Sequence, residues 1–142
     1  MSVDFFPPAG KLNKAVIQDT IGTTICVPGW TEKIRPPSSY TTRLKNRQMV
    51  ELGLPGRPED YEEDHFIPLA LGGHPNDPAN LWPMPMRLAK GKDRWETELH
   101  RQVCSGKMSL AEAQLKIVQP GLWETPVKVS TWQRIKRLFG LS

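Results

Sequence analysis

The sequence predicts a small α+β domain built on one β-hairpin and the helix after it, framed by further helices. Three observations lead there. In Tyr61 to Pro85 (YEEDHFIPLALGGHPNDPANLWPMP) two short pieces flank a Gly72-Gly73 turn and a polar loop. From Met86 to Cys104 the residues Trp95, Leu99 and Val103 recur four apart, the stripe of a helix with one buried side. Fourteen prolines among 142 residues fall mostly between such pieces, so the elements should be short and rigidly joined.

Composition sets the outer bounds. A chain of 142 residues makes one domain, 1–142, long enough to bury a real core, and its central motif spans 61–104. A charged fraction of 24% and a hydrophobic fraction of 38% belong to a folded, not a disordered, chain. No run reaches the roughly 18 apolar residues of a membrane span. Met1 to Gly10 lacks the charged start and apolar run of a secretory signal, so the cytoplasm is the default expectation, with an exported form left open. Cys26 and Cys104 are too few for a disulfide framework and leave two readings, one bridge or two buried thiols. A structural zinc site on these cysteines and histidines lacks the usual close cysteine spacing.

The net charge of +4 is unevenly spread. Residues 61–100 hold four basic and seven acidic side chains, whereas 101–142 hold seven basic and two acidic. Carboxylates at the centre suit a cation, and basic flanks suit a polyanion.

In chain order, one short helix is expected around Lys11 to Asp19, and Thr23 to Val27 (TTICV) reads as a strand before a Pro28-Gly29 turn. Trp30 is a core anchor, and KIRPP at 33–37 is extended. Ser39 to Leu52 reads as a helix capped near Ser39 or Thr41 and ended by Gly53. After the central helix, Ser109 caps another, with Glu112 completing a capping box and Pro120-Gly121 stopping it. Thr131 to Phe139 forms a basic amphipathic helix, at about 130–140, suited to DNA, a membrane surface or the domain itself.

The centre carries the chemistry. Hydrolysing a phosphodiester takes on the order of 20 kcal/mol of barrier reduction, more than one base supplies. A divalent cation can stabilise charge and leaving oxygen while a histidine activates water. Asp64 and His65, adjacent in sequence, suit that division of labour. Asn80 lies 15 residues after His65, far enough for the chain to return as a second strand beside it. Its amide would orient the histidine or pin the hairpin loop.

The run DHFIPLALGG, then NLWP, then a helix holding KD..E, resembles the HNH endonucleases over Asp64 to Glu98. A looser likeness to small bacterial and phage HNH-like proteins extends through TICVPGW, RPP and YT..LK. The resemblance implies a ββα-metal finger cutting DNA with one divalent cation and little sequence preference. It makes His65 the general base, Asp64 a metal ligand and Asn80 the middle residue that organises the hairpin. The family's last ligand, on the helix about nine residues beyond Asn80, falls here on Ala89. Asp93, a turn later on that face, is the expected substitute, with Glu96 behind it and His100 third. Carboxylates favour Mg²⁺ or Mn²⁺ over Zn²⁺. Lys92 and Arg94, with Arg87 and Lys90, are the expected phosphate contacts, and His74 is a lesser candidate for the site. The missing His or Asn also admits an alternative, a scaffold that binds nucleic acid or serves structure without the reaction.

Overall fold

The computed structural model describes residues 7–128. The basic helix expected near 130–140 lies outside them. The fold is α+β, a two-stranded antiparallel hairpin among helices. Strand β1 (Tyr61–His65) pairs with β2 (Leu81–Pro85), with Asp64 opposite Trp82 and His65 opposite Leu81. Each strand is an edge, so Pro83 and Pro85 deprive no third strand of a hydrogen bond.

Two helices precede the hairpin, α1 (Trp30–Ile34) and α2 (Ser38–Glu51). Helix α2 lies along the hairpin: Gln48 Nε2 donates to Leu81 O, and Lys45 Nζ donates to the carbonyls of Pro58 and Tyr61. Its first turn has no side-chain cap; Pro37 precedes it. Gly53 follows its end at φ +62°, as a C-terminal glycine should.

Three helices follow, α3 (Ala89–Cys104), α4 (Leu110–Ile117) and α5 (Pro120–Trp123). The expected stripe of α3 is in place: Leu99 and Val103 are each 1% exposed and Trp95 packs at the core's margin. Ser109 Oγ accepts from the Glu112 amide and caps α4. Trp82 and Met84 from β2, Ala113 and Ile117 from α4, and Trp123 from α5 close the core around α3. No described helix is long and apolar enough to cross a membrane.

Four elements depart from expectation. Lys33 and Ile34, expected in an extended stretch, are the last residues of α1, and the chain becomes extended only at Arg35. Pro120 opens α5 instead of ending α4 for good, because proline's missing amide is harmless in a first turn. The region expected as a helix at 11–19 is extended at Leu12, which bridges Gly73, and only Gln18–Thr23 coils, as a 3₁₀ turn. Thr23 to Val27 is not a strand. The two-stranded sheet offers it no partner, and its backbone turns on itself, with Cys26 N donating to Ile21 O. Of its β-branched side chains, Thr24 and Ile25 are buried and Thr23 and Val27 are exposed.

Cys26 and Cys104 form a disulfide, with Cα atoms 5.7 Å apart, tying this turn to the end of α3. That resolves the two cysteine readings and removes both sulfurs as thiolate ligands for zinc.

Candidate active site

The loop between the strands is held by Asn80, which is fully buried just before β2. Its Oδ1 accepts from the amides of Ile67 (2.9 Å) and Lys11 (3.4 Å), and its Nδ2 donates to the carbonyls of Ile67 (3.0 Å) and His74 (2.9 Å). All four hydrogen bonds of the side-chain amide go to backbone, so Asn80 pins the loop and none of them orients the His65 ring. The glycine pair serves the same closure. Gly72 sits at φ +87°, and a Cβ on Gly73 would stand 1.7 Å from Ile67 O. His74 belongs to this brace: its Nδ1 accepts from the amides of Asn76 and Asp77, outside the cleft described below.

His65 ends β1 and is 8% exposed. Its Nε2 lies 2.7 Å from Pro75 O. A carbonyl only accepts, so Nε2 carries the proton and Nδ1 is the basic nitrogen of the neutral ring. Burial lowers the imidazole to about 4; the Pro75 hydrogen bond opposes this, while Arg35 and Lys92 add to it. The ring is therefore uncharged at neutral pH.

Asp64 is equally buried, and its Oδ2 accepts from Trp82 Nε1 (2.8 Å) and Lys92 Nζ (2.5 Å). Burial pushes this carboxyl up, against the charge of Lys92 and the hydrogen bonds from Lys92 and Trp82. Lys92 arrives from the first turn of α3, which the absence of a side chain at Gly91 brings close to α5: a Cβ there would lie 2.0 Å from Trp123 O.

His65 and Asp64 border a cleft of about 390 Å³ between β1, α3 and the end of α1. Glu62, Asp93 and Glu96 also line it. Burial raises all three carboxyls, and the charge of Asp64 raises each further. Glu63, on the same walls, has both carboxylate oxygens buried without a hydrogen-bond partner, and burial pushes it up to about 8 against the pull of Lys45. Arg35, exposed at the end of α1, is the cation on the open side of the cleft.

Asp93 and Glu96 thus share the cleft with Asp64, as expected, but these carboxylates form no ready metal centre. No group of three or more His, Cys, Asp or Glu side chains among the described residues is arranged to hold an ion. The Asp64 oxygen that would serve as ligand already faces an ammonium. A divalent cation on Asp64 does not fit the residues as folded. His100 also lines the cleft, but its Nε2 is engaged by Ile25 O at 2.7 Å.

One expected phosphate contact needs correction. Lys92 is 0% exposed and ion-paired, because an aliphatic stem threading the core can end on a carboxylate there. It cannot reach a phosphate. Arg87, Lys90 and Arg94 are exposed and lie outside the lining of the cleft. Sequence reasoning gave no role to Arg35, Glu62, Glu63 or Trp82. For Trp82 a signal existed: a hairpin centred on Gly73 places it across from Asp64.

No family model, curated protein or solved structure matches this chain.

Proposed function

We propose that the cleft hydrolyses nucleic-acid phosphodiesters, most simply those of DNA, with His65 as the general base on a hairpin-and-helix unit of the ββα-finger type. The observation that carries this reading is the state of His65. It is buried and neutral at the edge of an open cleft, with Nε2 tied to Pro75 O and Nδ1 left to take a proton. In the reaction Nδ1 accepts a proton from water as the water oxygen attacks phosphorus; the P–O bond to the sugar oxygen breaks, and that oxygen leaves with the electron pair and takes a proton from solvent. Arg35 is the group that meets the phosphate oxygens, and binding through phosphate carries little sequence preference and a steep salt dependence. Asp64, already engaged by Lys92, is not open to a Mg²⁺ or Mn²⁺ ion.

A second reading has its own observation. The Asp64–Lys92 pair gives the site the character of a finished core, which suits a scaffold that binds nucleic acid, or only supports the fold, without cleaving. Nicking of supercoiled plasmid, with single-stranded DNA and RNA alongside, separates the two. Cleavage by the wild type that is lost in His65→Ala, with DNA binding retained, supports the hydrolase. Intact substrates in EDTA and in each of Mg²⁺, Mn²⁺ and Zn²⁺ support the scaffold.

The Cys26–Cys104 bridge further supports residence in an oxidising compartment, since cytosolic thiols are kept reduced. Fractionation of native cells would test it, with recovery only from the reducing cytosol counting against an exported form.

A further inference from the structure

The ammonium of Lys92 is surrounded as a metal ion would be. It donates to Asp64 Oδ2 at 2.5 Å and to His65 O at 2.8 Å, and Glu96 Oε1 stands 3.5 Å away. Two of its N–H bonds are thus donated, and Glu96 adds a longer contact. Two of the three oxygens belong to carboxyl groups, and the other comes from the backbone of the proposed base. The opposite side is aromatic, with the Trp123 ring centroid at 5.3 Å and that of Phe66 at 6.0 Å. The side chain is 0% exposed, so this charge is part of the interior and not a solvated end.

We propose that Lys92 is a resident cation, filling at Asp64 the position that a divalent ion would occupy and keeping such ions off that carboxylate. Two further features support a built position. Gly91 lets α3 approach Trp123 O closely enough to aim the next side chain inward. Trp82 Nε1, at 2.8 Å, donates to the same Asp64 oxygen, so the carboxylate is oriented from two sides toward a partner inside the protein. Burying a charge is costly unless it is paired and hydrogen-bonded, and the pair meets both conditions. The position of a ligand is thus retained while its ion is replaced by a covalently attached charge. Where the hydrolase reading holds, which this inference builds on, the reaction proceeds without a metal ion on Asp64.

The test reads metal binding, so an inactive protein answers it as well as an active one. Mn²⁺ is titrated into ¹⁵N-labelled wild type, Lys92→Ala, and the double variant Lys92→Ala with Asp64→Asn, and paramagnetic broadening is followed at the Asp64 and His65 amides. In the wild type these amides should broaden no more than exposed acidic sites do. In Lys92→Ala the vacated space and unpaired carboxylate should bind Mn²⁺ at least about tenfold more tightly, raising the melting temperature in millimolar metal by mass action. The double variant should lose that gain. Selective broadening at Asp64 in the wild type overturns the proposal, as does a folded Lys92→Ala that gains no affinity. Should Lys92→Ala fail to fold even with metal present, the wild-type titration decides alone, silence at Asp64 supporting the proposal and broadening there overturning it.

Discussion

The Nε2 atom of His65 stands 2.7 Å from the carbonyl oxygen of Pro75, ten residues further along the chain. This contact assigns the ring's proton and leaves Nδ1 as the base. From sequence, an ordinary imidazole would lose its proton between about 6 and 7 and the rate would rise there. Burial moves that step to about 4. In the metal-free protein, the His65 ring resonances should therefore stay at their neutral positions through pH 6, and any His65-dependent hydrolysis should be flat from 6 to 7. Because the unfolded ring protonates first, its contribution to stability is complete above about 6.5 and is lost as pH falls toward 4. An NMR titration midpoint near 6.5 would refute the assignment.

Glu63 has the opposite sign. Its folded carboxyl is raised to about 8 from 4.5, mainly by burial, so the folded protein holds this proton and the unfolded chain releases it. The contribution is fully present below 4.5 and lost as pH rises through 8. Glu63→Gln, which cannot ionise, should flatten the fall in melting temperature between pH 6 and 9. Parallel curves for wild type and variant would mean that the carboxyl is ionised at neutral pH.

Removing the loop brace should be expensive. Asn80→Ala leaves the Ile67 amide, and the carbonyls of Ile67 and His74, without their buried partner. The cost should be about 3 kcal/mol or more, at the level of several unsatisfied groups partly rescued by water. Urea denaturation measures it. A loss below about 1 kcal/mol would show that the loop closes without the amide.

Two glycines in helices make an internal comparison. Gly91→Ala sets a methyl 2.0 Å from Trp123 O and should destabilise by about 2 kcal/mol or more through displacement of α5. Gly121→Ala meets nothing within 4 Å and should be neutral or stabilise by up to about 1 kcal/mol. Equal melting temperatures for the two variants would contradict the close packing of α3 on α5.

The disulfide spans 78 residues of sequence. Chain-entropy arguments give about 4 kcal/mol for closing such a loop, so Cys26→Ser with Cys104→Ser, or reduction of the wild type, should lower stability on that scale. Denaturation with and without reductant checks it, and the double variant should show no effect of reductant.

How much was legible follows from the range of each interaction. The α3 stripe of Leu99 and Val103, and the Ser109 cap, depend on neighbours within one or two helical turns, and both appear as read. The return of the chain at Asn80 followed from a glycine pair and a spacing. The strand read at TTICV failed because β-branched residues favour a strand only where another strand is available to pair with it. Lys92 was misplaced for a related reason. A lysine beside an aspartate on a helix looks solvated until the packing of Gly91 on Trp123 turns it inward.

By itself the sequence determined the local periods, the turn at Gly72-Gly73, the adjacency of Asp64 and His65, and the return of the chain at Asn80, since these rest on backbone geometry and short separations. Tertiary structure alone decided that Cys26 meets Cys104, that Arg35 faces the cleft, and that Asp64 holds an ammonium from 28 residues away. Each of these depends on which helix face packs against which strand. That choice is set by the burial of the whole core, and no short stretch of sequence carries it.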